Sequence, residues 1–131
     1  MSDVNWLEVL DWSPNELEDL RFVGYSYLKQ GKYDIALNFF EALTVLAPEN
    51  GYDLQTLGAI HLQLGNNLNA LNYIERSLKI EPGHLPTRLN RAKAFFALGY
   101  KRQALQEARD LERCEDPSIA DQATALLMAY A

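Results

Sequence analysis

The sequence predicts an all-α protein, a solenoid of three helical hairpins with a short N-terminal helix and a C-terminal capping helix. Small and chain-breaking residues recur every 34 positions, and the apolar residues between them have helical spacing. The recurring residues are Gly24, Gly58 and Ala92; Gly31, Gly65 and Gly99; Ala36, Ala70 and Ala104; and Pro48 and Pro82. Several columns that share one period are typical of stacked-repeat architectures.

The repeat divides the chain into units. We expect one domain over residues 1–131, because this length suits a single hydrophobic core. Its parts are a leader helix within 1–13, three repeats at 17–50, 51–84 and 85–118, and a capping helix at 118–131. The cap is expected because a terminal repeat of a solenoid would otherwise expose an apolar face.

Each unit is predicted to be a helical hairpin. In the first unit Leu20, Val23 and Tyr27 lie on one helix face, and Gly31 interrupts the pattern. Glycine suits the left-handed residue that ends a helix, and the proline of each unit stops the second helix. Ser13, Pro14 and Glu16 form a capping-box pattern, so we expect the first helix of unit one to begin near Pro14.

The leader contains apolar residues in too short a segment to be stable as an isolated helix. Trp6, Leu10 and Trp12 are therefore predicted to contact the rest of the chain, a partner or a second copy in a homodimer. Leu10→Asp would leave the molecular mass in solution unchanged if the contact is internal.

Composition excludes several classes of protein. With one cysteine the chain cannot form an internal disulfide, and no apolar run is long enough for a membrane span. The N-terminus lacks the basic and apolar regions of a signal peptide, so we expect a cytoplasmic protein. The formal charge of -6 disfavours nucleic acid as a partner.

The charge is unevenly distributed. Residues 1–53 hold ten acids and three bases, whereas residues 54–106 hold two acids and seven bases. One interpretation is that these charges lie on solvated faces and pair between neighbouring repeats, with little effect on stability. The other is that they form an oriented docking surface that speeds association with a partner.

The repeat resembles the tetratricopeptide repeat. Leu20, Gly24, Tyr27, Gly31, Tyr33, Ala36, Phe40 and Pro48 follow its pattern, and so do Leu54, Leu57, Gly58, Gly65, Ala70 and Pro82. The third unit fits less well, with Arg88 and Arg91 where the pattern prefers apolar residues. The resemblance implies a right-handed stack in which the first helix of each hairpin lines a concave, protein-binding groove.

A narrower resemblance is to the three-repeat chaperones of bacterial type III secretion systems. It is carried by the runs 27–33 and 40–46, with Ala36 and Leu57-Gly58-Ala59. This resemblance implies a small, acidic, non-catalytic chaperone that holds a secreted client, either a translocator or a needle subunit, before export. A second small co-chaperone is a further partner that the family suggests.

Positions 2, 5, 9 and 12 of each repeat are expected to face the groove, because these steps keep to one side of a helix. These positions hold Glu18, Arg21, Tyr25, Leu28, Tyr52, Gln55, Ala59, Leu62, Pro86, Leu89, Lys93 and Phe96, and all of them except Glu18 and Pro86 are the predicted partner-binding residues. Tyr25, Tyr52 and Phe96 are the best candidates for client contacts, because aromatic side chains bury a large apolar area. The alternative for each is packing within the domain.

Two other functions are disfavoured. A groove that clamps the terminal carboxylate of a heat-shock protein needs several cationic and amide donors, and the matching positions offer only Arg21 and Asn90. His61 and His84 are too far apart in sequence for a ligand pair on one helix or short loop, and no acid pair or phosphate-binding loop is evident. We therefore expect no enzyme activity, no metal and no cofactor.

A basic cluster in the third unit supports an alternative function. Arg88, Arg91, Lys93, Lys101 and Arg102 either pair with acids inside the protein or dock an acidic partner. In the second case the protein is a tetratricopeptide scaffold or adaptor that uses its convex side or its third repeat.

Overall fold

The structure is a computed structural model, which describes residues 5–130. Those residues form eight helices and no strand. The helices are α1 (Trp6–Leu10), α2 (Pro14–Lys29), α3 (Tyr33–Leu46), α4 (Gly51–Gln63), α5 (Asn67–Ile80), α6 (Leu85–Leu98), α7 (Lys101–Glu112) and α8 (Pro117–Tyr130). Hairpins 1, 2 and 3 are α2–α3, α4–α5 and α6–α7, so the all-α prediction is confirmed.

The turns of the three hairpins use glycine as the sequence predicts. Gly31, Gly65 and Gly99 have φ values of 75°, 82° and 81°. This left-handed conformation strains residues that carry a Cβ, so glycine here allows each first helix to end and the chain to reverse.

The start of α2 is partly as expected. The helix begins at Pro14, as predicted, and Ser13 is its N-cap residue. The capping-box prediction is wrong, however, because the Ser13 side chain makes no cap hydrogen bond. Ser13 is exposed, so its hydroxyl can be solvated instead of satisfying a helix amide.

The hairpins are arranged in two layers. Among the described residues, α4 packs on α6 and α6 packs on α8, whereas α3, α5 and α7 do not contact one another. The first helices of the hairpins therefore form the inner layer. Helix α8 packs on both α6 and α7, so it occupies the place that the first helix of a fourth hairpin would take.

The core runs along the stack in clusters. Phe40, Leu43 and Leu57 are fully buried where hairpin 1 meets hairpin 2. At the other end Leu111 and Ile119 are buried between hairpin 3 and α8. Burying such a side chain stabilises the fold by about 1.5–3 kcal/mol relative to leaving it exposed. Since these side chains are buried between neighbouring hairpins or between hairpin 3 and α8, the stability of each hairpin depends on the element beside it.

An aromatic contact between the two helices of a hairpin is present in hairpins 1 and 2 but not in hairpin 3. The rings of Tyr27 and Phe39 are 5.6 Å apart in hairpin 1, and His61 stacks on Tyr73 at 5.5 Å in hairpin 2. In hairpin 3 the residue equivalent to Phe39 and Tyr73 is Glu107. An acid therefore stands where the other hairpins have an aromatic ring.

No helix among residues 5–130 has both the length and the apolar character that a membrane span requires.

Candidate functional site

The inner layer is open between its first two helices. Within the described part of the chain, α2 and α4 share no pair of Cα atoms within 8 Å, although α4 packs directly on α6. The gap is a cleft of about 450 Å³. It is lined by Glu18, Arg21, Phe22, Tyr25, Asn50 and Tyr52.

A buried ion pair joins the two helices at the base of this cleft. The Nε of Arg21 donates to Oδ1 of Asp53 at 2.7 Å, and Nη2 donates to Oδ2 at 2.8 Å. Asp53 is fully buried, and Arg21 also donates to the exposed carboxylate of Glu18. The hydrogen bonds to Asp53 raise the pKa of Arg21 above its ordinary value, against the opposing effect of burial.

This geometry changes the role of Arg21 that the sequence predicts. Its guanidinium is a bridge between hairpins 1 and 2 instead of a free anchor for a client. Asp53 is missing from the predicted site, although opposite charges on the first helices of successive repeats could have indicated the pair. The same pair supports the interpretation that charges pair between neighbouring repeats.

Two of the predicted aromatic residues lie together in the cleft. Tyr25 is 44% exposed and Tyr52 is 48% exposed, one on each wall. The Tyr52 ring meets the buried Phe40 edge-on, with 6.5 Å between ring centroids, which fixes its position from below. Phe22, which the sequence analysis did not select, is 72% exposed beside them.

The middle of the predicted groove is half-buried. Leu28, Gln55, Ala59 and Leu62 all have intermediate exposure. The amide of Gln55 donates to Glu81 at 3.3 Å, so this side chain already has an internal partner.

The third repeat differs from the expectation. Leu89 is 3% exposed and Phe96 is 8% exposed, because α8 covers them. The ring of Tyr130 stacks on Phe96 with 4.3 Å between centroids. These two residues therefore pack inside the domain, and only Lys93 remains half-buried at this end of the predicted groove.

The leader residues divide into two kinds. Trp6 and Leu10 are exposed on α1, whereas Trp12 is half-buried against the core of hairpin 1. Part of the leader therefore packs internally. Contact of Trp6 and Leu10 with a partner or a second copy stays a prediction.

Two members of the basic cluster are held inside the protein. Glu107, 6% exposed, accepts from Arg88 at 2.8 Å and from Arg91 at 2.5 Å. Burial works against the charge of Arg91, but its bonds to Glu107 and Glu75 outweigh that effect and raise its pKa. Arg88 and Arg91 thus belong to an internal network, whereas Lys101 and Arg102 of the same cluster are exposed.

Sequence comparisons identify the repeat itself. Residues 54–84 match the family model of the tetratricopeptide repeat. A curated relative, the protein CTR9 homolog of Arabidopsis thaliana, is 32% identical over 77 residues. That match covers 59% of this chain but only 6% of the relative, so it concerns a short part of a much longer protein.

Solved structures show the fold over most of the chain. PcrH in complex with the chaperone-binding region of PopD has a TM-score of 0.81 at 24% identity, covering 90% of this chain and 92% of that chain. The Yersinia enterocolitica type III secretion chaperone SycD, in complex with a peptide of the translocator YopD, also has a TM-score of 0.81, at 20% identity, covering 90% and 94%.

A third structure shows that the fold is shared with another kind of protein. The first tetratricopeptide domain of Spaghetti (RPAP3), bound to the HSP90 peptide SRMEEVD, has a TM-score of 0.76 at 20% identity, covering 89% and 94%. The predicted resemblance is confirmed: the chain is a right-handed solenoid of three tetratricopeptide hairpins, with the fold of the type III secretion chaperones.

Proposed function

We propose that this protein is a cytoplasmic chaperone that binds an apolar segment of a type III secretion client, a translocator or a needle subunit, before its export. It acts by binding and not by catalysis. The bound segment cannot associate with other copies of the client, so mass action keeps the client monomeric.

The observation that carries this proposal is the open aromatic cleft between α2 and α4. Tyr25 and Tyr52 are exposed on its two walls, where a client side chain can cover both rings. Burying a fully exposed aromatic side chain contributes about 1.5–3 kcal/mol, so these contacts supply part of the roughly 8 kcal/mol of a micromolar complex, and further contacts along the client segment supply the rest. Structures with this fold that hold translocator segments give further support.

The internal network of hairpin 3 weakens the scaffold alternative. Arg88 and Arg91 are bonded to Glu107, so they are not free to dock an acidic partner. Changing both to glutamate would place three acids together and would test folding more than binding.

The test is a comparison of three baits in lysate of the native cell. The first is the wild type, the second carries Tyr25→Ala with Tyr52→Ala, and the third carries Tyr100→Ala. Tyr100 is a matched control, because it is exposed to a similar degree but lies outside the cleft. We expect one secreted, self-assembling protein on the wild type and the control, identified by mass spectrometry, and its loss from the double variant.

The captured protein is then purified and its affinity for all three baits is measured by calorimetry. Equal affinity for the wild type and the double variant would overturn the proposal. Phe96→Ala is unsuitable for this experiment, because Phe96 is buried and its loss would disturb the packing of α8.

A further inference from the structure

We propose that the cleft between α2 and α4 selects a client segment that carries a lysine or arginine next to its apolar residues. The cationic side chain would lie against Tyr25 and Tyr52 with its charge towards Glu18. This inference rests on the proposed function, and it adds a chemical rule for which segments bind.

The first step is the charge of the cleft. Arg21 is the one cation among the six lining residues, and it is already bonded to both Asp53 and Glu18. A single guanidinium cannot neutralise two carboxylates, so the cluster keeps one net negative charge. Asp53 is fully buried, whereas the Glu18 side chain is 71% exposed, so a ligand meets that charge at Glu18.

The second step is the orientation of Arg21. Its Nε and Nη2 both donate to Asp53, and Nη1 donates to Glu18. All three nitrogens of the planar guanidinium therefore already donate to carboxylates of the protein. A carboxylate on the ligand would have to compete with two carboxylates already in place, so an acidic segment is disfavoured.

The third step is the aromatic lining. Exposed ring faces attract cations when the charge lies within about 6 Å of the ring centroid. The ammonium of Lys29, from the same helix, lies 5.7 Å from the Tyr25 ring centroid, so a ligand cation must displace Lys29 or use the other face of this ring. Tyr52 and Phe22 provide further exposed rings in the same cleft.

The surroundings act in the same direction. Residues 1–53 hold ten acids and three bases. The pair of Arg21 with Asp53 removes one charge of each sign, so an excess of seven acids remains. The field of this half of the molecule therefore attracts a basic segment and speeds its association.

The experiment is a selection of random displayed peptides on the wild type, Glu18→Gln and Glu16→Gln. Glu16 is the matched control, because it is exposed on the same helix but lines a separate cavity with Trp12 and Val23. We expect the wild type to enrich peptides that combine apolar residues with lysine or arginine. The preference should fall with Glu18→Gln and persist with Glu16→Gln.

A synthetic peptide from the wild-type selection gives the quantitative test. Its basic residue is replaced by norleucine, which keeps the aliphatic stem without the charge, and binding is followed by fluorescence anisotropy. The basic peptide should bind the wild type about twofold to fivefold more tightly than the norleucine peptide. The ratio should approach one in Glu18→Gln.

The outcomes separate this inference from the proposed function. Equal losses in Glu18→Gln and Glu16→Gln would show a general charge effect and overturn the inference. Peptides that lack basic residues but no longer bind Tyr25→Ala would also overturn it, while supporting a binding cleft. Peptides that bind equally to the wild type and to Tyr25→Ala would overturn both.

Discussion

Hairpins 1 and 3 follow the same repeat pattern, but the groove-facing side of the first helix is open in hairpin 1 and covered in hairpin 3. In hairpin 1 the ring of Tyr25 is exposed in an open cleft. In hairpin 3 Leu89 and Phe96 are covered by α8. The position of a residue within the repeat therefore predicts the side of the helix on which it lies. Whether that side is exposed depends on the helix that packs next to it.

The two ends of the stack differ in the helix that packs beside the first helix of the hairpin. Helix α8 packs on α6 as closely as α6 packs on α4, so hairpin 3 is covered as an internal repeat would be. Between α2 and α4 the described residues have no close backbone contact, and the ion pair of Arg21 with Asp53 links the two helices across the cleft. An ion pair thus replaces backbone contact where the cleft is open.

The largest expected effect comes from breaking that link. Arg21→Met should lower the free energy of unfolding by about 3–5 kcal/mol, because it leaves the fully buried Asp53 without its cation. Urea denaturation followed by circular dichroism measures the loss.

The control is the double variant Arg21→Met with Asp53→Leu. Replacing a buried ion pair by apolar side chains is often close to neutral, so most of the stability should return. A double variant as unstable as Arg21→Met would show that the pair does not hold the two helices together.

A smaller loss of stability should distinguish the covered end at hairpin 3 from the open end at hairpin 1. Phe96→Ala should cost about 3 kcal/mol of stability, because it removes a nearly buried ring from the contact with α8. Tyr25→Ala should cost less than about 1 kcal/mol, because its ring is largely in solvent. Thermal unfolding of both variants checks this, and equal losses would contradict the contrast between the open and the covered end.

The smallest expected effect concerns pH and hairpin 2. Burial lowers the pKa of His61 below its ordinary value of 6.5, although the charge of Glu41 opposes the shift. The unfolded state therefore binds the proton more readily than the folded state. The stability contributed by the neutral ring is complete above pH 6.5 and declines as the pH falls through the folded pKa.

His61→Phe should remove this part of the pH dependence, since Tyr27 and Phe95 occupy the same column in the other hairpins. Urea titrations of both proteins at neutral and mildly acidic pH measure the difference. An identical decline in the two proteins would show that other groups cause it.

Much of the fold could be predicted from the sequence, because glycine and proline act locally. The conformation of Gly31 and the start of α2 at Pro14 depend on their own backbone restrictions. Helix geometry placed Tyr25 and Tyr52 on the same face of the stack, where both are exposed, and their role in binding stays a prediction. The sequence predicted the capping helix, but the repeat pattern could not tell that this helix covers Phe96.

The role of Asp53 was missed for a different reason. It stands in the first turn of α4, where an acid is favoured by the helix dipole without any partner. Its pairing with Arg21 depends on the spacing of two helices that belong to different repeats. The sequence pattern gives the two opposite charges but not the distance between them.

The gap between α2 and α4 also determines which backbone amides should be first to exchange with deuterium. The backbone of α2 lies close to that of α3 alone among the described helices, whereas the backbones of α4 and α6 each lie close to several neighbours. A helix with one packing partner opens without disrupting the rest of the stack. Among the six helices of the hairpins, hydrogen exchange should therefore be fastest in α2 and slowest in α4 to α6, with the wall that carries Tyr25 moving relative to the wall that carries Tyr52.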